Sequence, residues 1–496
     1  MTPISKFFTH NFRRNRRIWL IPLAAAFSLG GYVLASQLYF KIGFPLDDAW
    51  IHQTYARNLA LRGDWAFLPG QPSAGSTSPL WTVLLVPGFW LGAQPPIWAF
   101  FVGWLALSAV GWLGMRIHQR LAPAPAAAAL AVGIFLCLEW HLVWAATSGM
   151  ETLLFAVIIL LVFDQLLQPE QNWLLLGILA GASVWVRPDG LTLLGPVGLC
   201  ALMLNPTWKG RLRAALLVAA GALACALPYL FFNLSLSGEW VPNTFFAKQA
   251  EYAVLTQAPL LNRFLRQFSL VLIGAGVLLL PGFVLFVSRS VRERRWSALA
   301  LEIWFLGFLL VYAVRLPVVY QHGRYIIPAL PVYLILGLAG MTGWVGSQRP
   351  AMWRRVIGRT WAISLAILLA SFWLIGARAY ARDVAVIESE MVAAAQWIAG
   401  NTPRDALVAA HDIGALGYFG ERKLVDLAGL VSPEVIPFMR DESWLTSYLD
   451  QRGVSYLMTF PGWYPDLVRS KTPVFQTHGE FSPPLGGENM QVYSWR

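Results

Sequence analysis

Apolar runs long enough to form buried helices recur along the first three quarters of the chain. They lie near residues 19–40, 79–93, 97–115, 124–146, 150–167, 172–187, 190–204, 213–232, 268–288, 297–314, 325–345 and 359–376. A helix of roughly 20 apolar residues spans a bilayer. The pattern therefore predicts an all-α polytopic membrane protein with about 11–13 transmembrane helices over residues 1–382. The first run exceeds the roughly 7–15-residue core of a cleaved signal peptide. It is expected to stay as an uncleaved first helix. Beyond about residue 383 the pattern changes. Short β-type runs (406–410, 454–460, 491–495) alternate with helical patterns (384–398, 443–451). A small α/β domain over 383–496 is expected. No internal repeat is visible.

Composition agrees with this division. Hydrophobic residues make up 57% of the 496, and charged ones only 13%, against roughly 25% in soluble domains. A soluble cytosolic enzyme is excluded. The net charge of +11 does not mark a nucleic-acid binder, because the basic excess sits between apolar runs, where it orients helices in a membrane. Residues 1–376 hold 27 Lys/Arg and 12 Asp/Glu, whereas 377–496 hold 10 and 14. Lys6, Arg13, Arg14, Arg16 and Arg17, with the turns around Arg116/Arg120, 209–213, 289–295 and 349–359, place 18 of those 27 on one side. The N-terminus is then cytoplasmic and the tail extracytoplasmic, in a cell membrane. Two full crossings do not fit within 79–115, so this stretch is expected to cross once as a broken element or to contain a re-entrant segment. Cys137, Cys200 and Cys225 all fall in apolar runs, which indicates neither a disulfide framework nor a zinc site.

The polar residues that remain gather in the outward loops. The first, 41–78, is long for a helix connection, and long ordered loops are usually functional. It carries Asp47 and Asp48 ahead of Trp50, Ile51, Tyr55, Asn58 and Leu59 at helical spacing, as in a helix lying flat at the membrane surface. The acidic pair reads either as a helix cap or as a general base whose proton affinity is raised by its neighbour. Glu151 begins a helix after Thr147-Ser148-Gly149-Met150. Arg187-Pro188-Asp189-Gly190 interrupts an apolar run. Asn243 and Lys248 lie in a second long loop, and His322, Arg324 and Tyr325 in a third. Each has a bland reading as turn chemistry or snorkelling. Together they mark function, because ionisable groups at membrane depth are costly. No phosphate-binding loop, zinc-protease or esterase motif is present. Carboxylate plus cation at a lipid boundary suits removal of a proton from a hydroxyl and stabilisation of a departing phosphate. That chemistry fits transfer of a sugar from a lipid phosphate. A transporter or flippase of lipid-linked sugars is the alternative, although inverted repeats and short loops would then be expected.

The motifs also resemble those of the GT-C superfamily of polyprenyl-phosphate-dependent glycosyltransferases, on the bacterial arabinofuranosyltransferase and protein O-mannosyltransferase-like branch. The resemblance is carried by Asp47-Asp48-Ala49, Tyr55-Ala56-Arg57-Asn58-Leu59, Pro69-Gly70 and Ser78-Pro79-Leu80-Trp81. It continues through Gly149-Met150-Glu151-Thr152, Arg187-Pro188-Asp189-Gly190, Pro242-Asn243-Thr244 with Lys248, and Arg324-Tyr325. In the tail it includes Asp412-Ile413-Gly414-Ala415-Leu416-Gly417-Tyr418 and Asp426-Leu427-Ala428-Gly429-Leu430. The resemblance implies Asp47 or Asp48 as the base that activates an acceptor hydroxyl. It implies Arg324, Lys248, Tyr325 and Arg187 at the donor phosphate, with His52, Tyr55, Glu151, Asn243, His322, His411 and Asp412 nearby. Some members bind a divalent metal in the first loop, and Asp47, Asp48 and Glu151 could supply its oxygens. The implied partners are a polyprenyl-phosphate sugar, membrane lipids, and a cell-envelope glycan, protein or lipid as acceptor, with the tail covering or binding the latter. Residues 73–77 depart from the Val-Glu-Gly-Tyr-Thr/Ser of relatives, so the resemblance carries no sugar specificity.

Overall fold

The computed structural model describes residues 16–122, 125–346 and 352–496. Lys6, Arg13, Arg14 and Arg349 of the basic clusters lie outside the described residues. Among those described, seven helices are long and apolar enough to cross a membrane, and the bent pair Ala126–Leu138 and Trp140–Ala146 makes an eighth. Four shorter apolar helices pack among them. The stretch 79–115 resolves by length. Pro79–Trp90 has 12 residues, about 18 Å at the helical rise, well short of the roughly 30 Å hydrocarbon core. Pro95–Leu121 has 27 residues and is the full span. The two are laced together by the Trp98 indole N–H, which donates to the Leu84 carbonyl at 2.9 Å. Arg116 and Arg120 both pair with Asp164, at 3.0 and 2.9 Å. Arg295 donates to the Leu121 carbonyl at 3.1 Å, so two of the basic turns meet at one end of the bundle.

Small residues let the helices approach. A Cβ on Gly340 would strike the Gly282 carbonyl, and one on Gly282 would strike the Gly337 carbonyl. Helices Leu280–Arg292 and Leu330–Val345 therefore touch backbone to backbone, the usual route to tight packing where lipid removes the hydrophobic drive. Gly340→Val is expected to cost about 1–3 kcal/mol through overpacking, measured as a lower unfolding temperature in detergent.

The last span, Met352–Asn401, runs 50 residues without a break, about 75 Å. Its far end carries a π-helical turn at Glu388–Val392, where Glu388 pairs with Lys41 at 2.8 Å. The tail follows directly. After the first-loop hairpin β1 (Ala66–Leu68) and β2 (Gln71–Pro72), its strands are β3 (Leu407–Ala410), β4 (Lys423–Asp426), β5 (Tyr456–Thr459), β6 (Pro473–Gln476) and β7 (Gln491–Ser494). They form one sheet in the order β4-β3-β5-β7-β6, with β4, β3 and β5 parallel and β7 antiparallel to both its neighbours. Asp441 caps helix Glu442–Arg452 by accepting from the Ser443 and Trp444 N–H groups at 3.0 and 3.2 Å, and Gly453 ends it at φ 70°.

Candidate functional site

The first-loop helix, Asp48–Arg62, ends at Gly63 in the left-handed region. The helix faces protein on two sides. It is sandwiched between helix Pro79–Trp90 and the tail helix Gly414–Phe419, with nine of its 15 residues buried. Trp50 packs on Tyr418 and Phe419 with ring centroids 4.8 and 4.6 Å apart. Arg57 lies over the Tyr418 ring at 4.5 Å and donates to the Tyr418 carbonyl at 2.7 Å. The tail is thereby held against the start of the loop.

The acidic pair divides its tasks. Neither Asp47 nor Asp48 caps its own helix with its side chain. Asp47 instead accepts from the backbone N–H groups of Gly414 and Ala415, at 2.6 and 2.8 Å. A Cβ at Gly414 would collide with the Asp47 carbonyl and carboxylate, which is why the close approach needs glycine. Burial pushes the Asp47 carboxyl up to about 7, with Asp48 adding to the rise and the two N–H donors and Lys248 opposing it. Asp48 accepts from Arg324 Nη2 at 2.7 Å, and its side chain is 29% exposed. Burial acts to raise Asp48 as well, but the charges of Arg324 and Lys248 outweigh it and hold the carboxyl below the ordinary value.

Between the first loop, helix Asn243–Glu251 and the tail lies a cavity of about 540 Å³. Asp47, Asp48, Lys248, Arg324, His411 and Asp412 all line it. Arg324 is buried, and its Nε and Nη1 have no acceptor among the described residues. Lys248 pairs with Glu251 at 3.1 Å. Burial works against its charge, but Asp48, Tyr325 and Glu251 more than compensate and hold its ammonium above the usual lysine value. Glu251 also meets His411 Nε2 at 3.5 Å. Asp412 is driven well up by burial and by Asp47 and Asp48.

The other expected residues stand behind this cavity and do not line it. Tyr325 bonds Arg324 Nη2 at 3.0 Å and stacks on Tyr312. Arg187, expected at the donor phosphate, does not line this cavity. Its guanidinium is taken up by Asp189 at 3.0 Å, Glu151 at 3.2 Å and the Tyr312 hydroxyl at 2.6 Å. His52 sits 3.6 Å from Glu151 and contacts Ser76 and Thr82. Tyr55 is fully buried and binds Ser73 at 2.7 Å and the Gly75 N–H at 2.9 Å, which fixes the returning loop. His322 pairs with Asp383 at 2.8 Å. Asn243 is buried at the start of its helix. The metal set is not assembled, because Glu151 is turned to Arg187 while Asp47 and Asp48 are held by N–H donors and Arg324. Among the described residues no group of three or more His, Cys, Asp or Glu is placed to hold a metal. Sequence reasoning missed Glu251, Tyr252, Arg440, Trp463 and Tyr464, all of which line the cavity. Glu251, three residues after Lys248, was the one with a readable signal, an i,i+3 ion pair.

The chain is similar to known proteins in part of its sequence and in its fold. Residues 379–493 match a family model described as a domain of unknown function, DUF8728. A terminal β-(1→2)-arabinofuranosyltransferase of Mycobacterium tuberculosis is 28% identical over 229 residues, which is 41% of this chain. The match spans only 35% of that relative's length. ArnT from Cupriavidus metallidurans, solved with undecaprenyl phosphate, superposes with a TM-score of 0.62 over 97% of this chain and 99% of its own, at 16% identity. The Archaeoglobus fulgidus oligosaccharyltransferase AglB, solved with an inhibitory peptide and a dolichol phosphate, gives 0.62 over 90% of this chain and 70% of its own, at 12% identity.

Proposed function

Starting from the GT-C fold that these comparisons establish, we propose that the chain is a membrane glycosyltransferase. It moves a sugar from a polyprenyl-phosphate donor to an acceptor hydroxyl on the extracytoplasmic side of a cell membrane. The observation that carries this reading is the Asp48–Arg324 pair on the cavity wall, 2.7 Å apart. Arg324 keeps two further, buried nitrogens without an acceptor among the described residues, and Lys248 stands beside it. A planar guanidinium with unused N–H groups is suited to a phosphate. Asp48 offers a carboxylate at the same place. The lipid-bound phosphates in the solved relatives support a donor of this chemical class.

In the proposed step, Arg324 and Lys248 hold the donor phosphate and orient the anomeric carbon. The acceptor oxygen forms its bond to that carbon as the bond from carbon to phosphate oxygen breaks. The acceptor proton passes to Asp48, and the electron pair leaves with the polyprenyl phosphate, whose charge the two cations stabilise. Asp48 is favoured over Asp47 because both Asp47 oxygens already accept backbone N–H groups. Asp47 is the clasp that seats the tail.

The primary test is mass spectrometry of lipid retained by the purified chain. A polyprenyl phosphate, with or without sugar, is expected; its consistent absence, together with no binding of added undecaprenyl phosphate, would remove the reading. The two carboxylates also separate by pH. Asp48 lies below its ordinary value, so its basic form is present through neutral pH, and the acid limb of the rate it controls falls below about pH 4. A base at Asp47 would instead lose half its ionised form near pH 7. The rate that survives in Asp47→Asn is expected to keep the lower limb; a limb near neutrality that disappears together with Asp47 would point to the other assignment.

A further inference from the structure

Apart from Ile387 and Met391 on the long helix, the tail's contribution to the cavity comes from three loops, and all three follow the carboxyl ends of parallel strands. Residues 411–413 follow β3, Ala428 and Leu430 follow β4, and 462–464 follow β5. In open α/β sheets this end is where small ligands bind, because the loops converge there and side chains can be presented without disturbing the sheet. A peptide acceptor laid along a sheet would use an edge strand. The edges here, β4 and β6, leave strand ends and not an edge at the cavity.

Two side chains at this end have unused capacity. Trp463 sits on the turn Pro461–Trp463, which Glu488 anchors by accepting the Gly462 N–H at 2.7 Å. One part of its ring is fixed against His411 and Phe460, at 5.0 and 5.2 Å, yet the residue remains 45% exposed. Asp412 lines the cavity, and its Oδ2, itself buried, has no hydrogen-bond partner among the described residues. His411, by contrast, is fixed by Tyr464 at 2.7 Å and by Glu251. An aromatic face beside a carboxyl group with an unpaired oxygen matches a sugar ring, which is apolar along its C–H face and rich in hydroxyls at its rim.

Building on the glycosyltransferase reading, we infer that the tail's strand-end loops form the acceptor subsite and that the acceptor is a saccharide. Trp463 stacks on its ring and Asp412 accepts from its hydroxyls. This divides the cavity into a donor side, made by Arg324 and Lys248, and an acceptor side, made by the tail, with Asp48 between them.

The test is saturation-transfer NMR on the detergent-solubilised full chain, with neutral methyl glycosides of pentoses and hexoses as probes and a short Ser/Thr peptide as the competing class. At least one glycoside is expected to take up saturation. Trp463→Ala should weaken its binding roughly tenfold, as for loss of one stacked ring's contact area, and Trp463→Phe should recover part of it. Asp412→Asn should weaken it as well, with the fold intact by thermal unfolding. Arg324→Gln should weaken retention of undecaprenyl phosphate at least tenfold and leave the glycoside signal in place, so failure on the donor side is distinguishable from failure here. No glycoside signal in the unaltered chain, a signal indifferent to Trp463, or a Trp463-dependent signal from the peptide instead would each overturn the inference.

Discussion

Asp48→Asn is expected to lower sugar transfer about 10²- to 10⁴-fold, the usual contribution of a positioned base, while donor lipid stays bound. The amide is nearly isosteric and can still accept from Arg324, so the pocket should keep its shape. It cannot take a proton from the acceptor. Measured with saturating donor, the loss should fall on kcat. Asp47→Asn provides the contrast. The amide can accept from one of the two N–H groups at Gly414 and Ala415 but not from both, so the expected result is looser seating of the tail, read as faster proteolysis of 383–496, with a smaller fall in rate. Equal rates in Asp48→Asn and the unaltered chain would remove the base assignment.

The second large effect is expected at Arg324. Replacing it with Gln removes a buried cation and leaves Asp48 without its 2.7 Å partner. A charge-assisted hydrogen bond contributes about 1.5–3 kcal/mol, so losing the contact to the donor phosphate should weaken retention of undecaprenyl phosphate by about 10- to 150-fold. Arg324→Lys keeps the charge but not the planar fork, and should fall between the two. The readout is the amount of lipid carried through purification, together with binding of added undecaprenyl phosphate. Retention unchanged in Arg324→Gln would show that the phosphate lies elsewhere in the cavity.

How much of this was legible in the chain depended on the kind of signal. Apolar runs and basic turns are local patterns, so the helical membrane part could be read directly, whereas the expected boundary at 382/383 falls inside the helix Met352–Asn401. Within the tail, β3, β5 and β7 fall inside the expected runs. β4 was missed because Lys423 and Asp426 bracket only two apolar residues, and β6 because it opens on Pro473, as an edge strand can. Asp48, Lys248 and Arg324 stood out because charge at the edge of apolar runs is costly. Arg187 and His322 stood out on the same ground, yet both are engaged by neighbouring acids. The cost of a buried charge is visible in sequence, but the identity of its partner is not. The clasp from Asp47 to Gly414 joins residues 367 apart, and Trp463 and Arg440 reach the cavity only through the order of the strands. No spacing rule on a single chain reports such contacts.

The tail is carried by the same unbroken 50-residue helix that makes the final span. A segment of this kind is a mast and not a tether. With the wall of the reaction chamber mounted on it, and with Lys41 gripping Glu388 just below the top, the chamber cannot empty by swinging a loose flap aside. On the proposed reading, reactants enter past a standing wall.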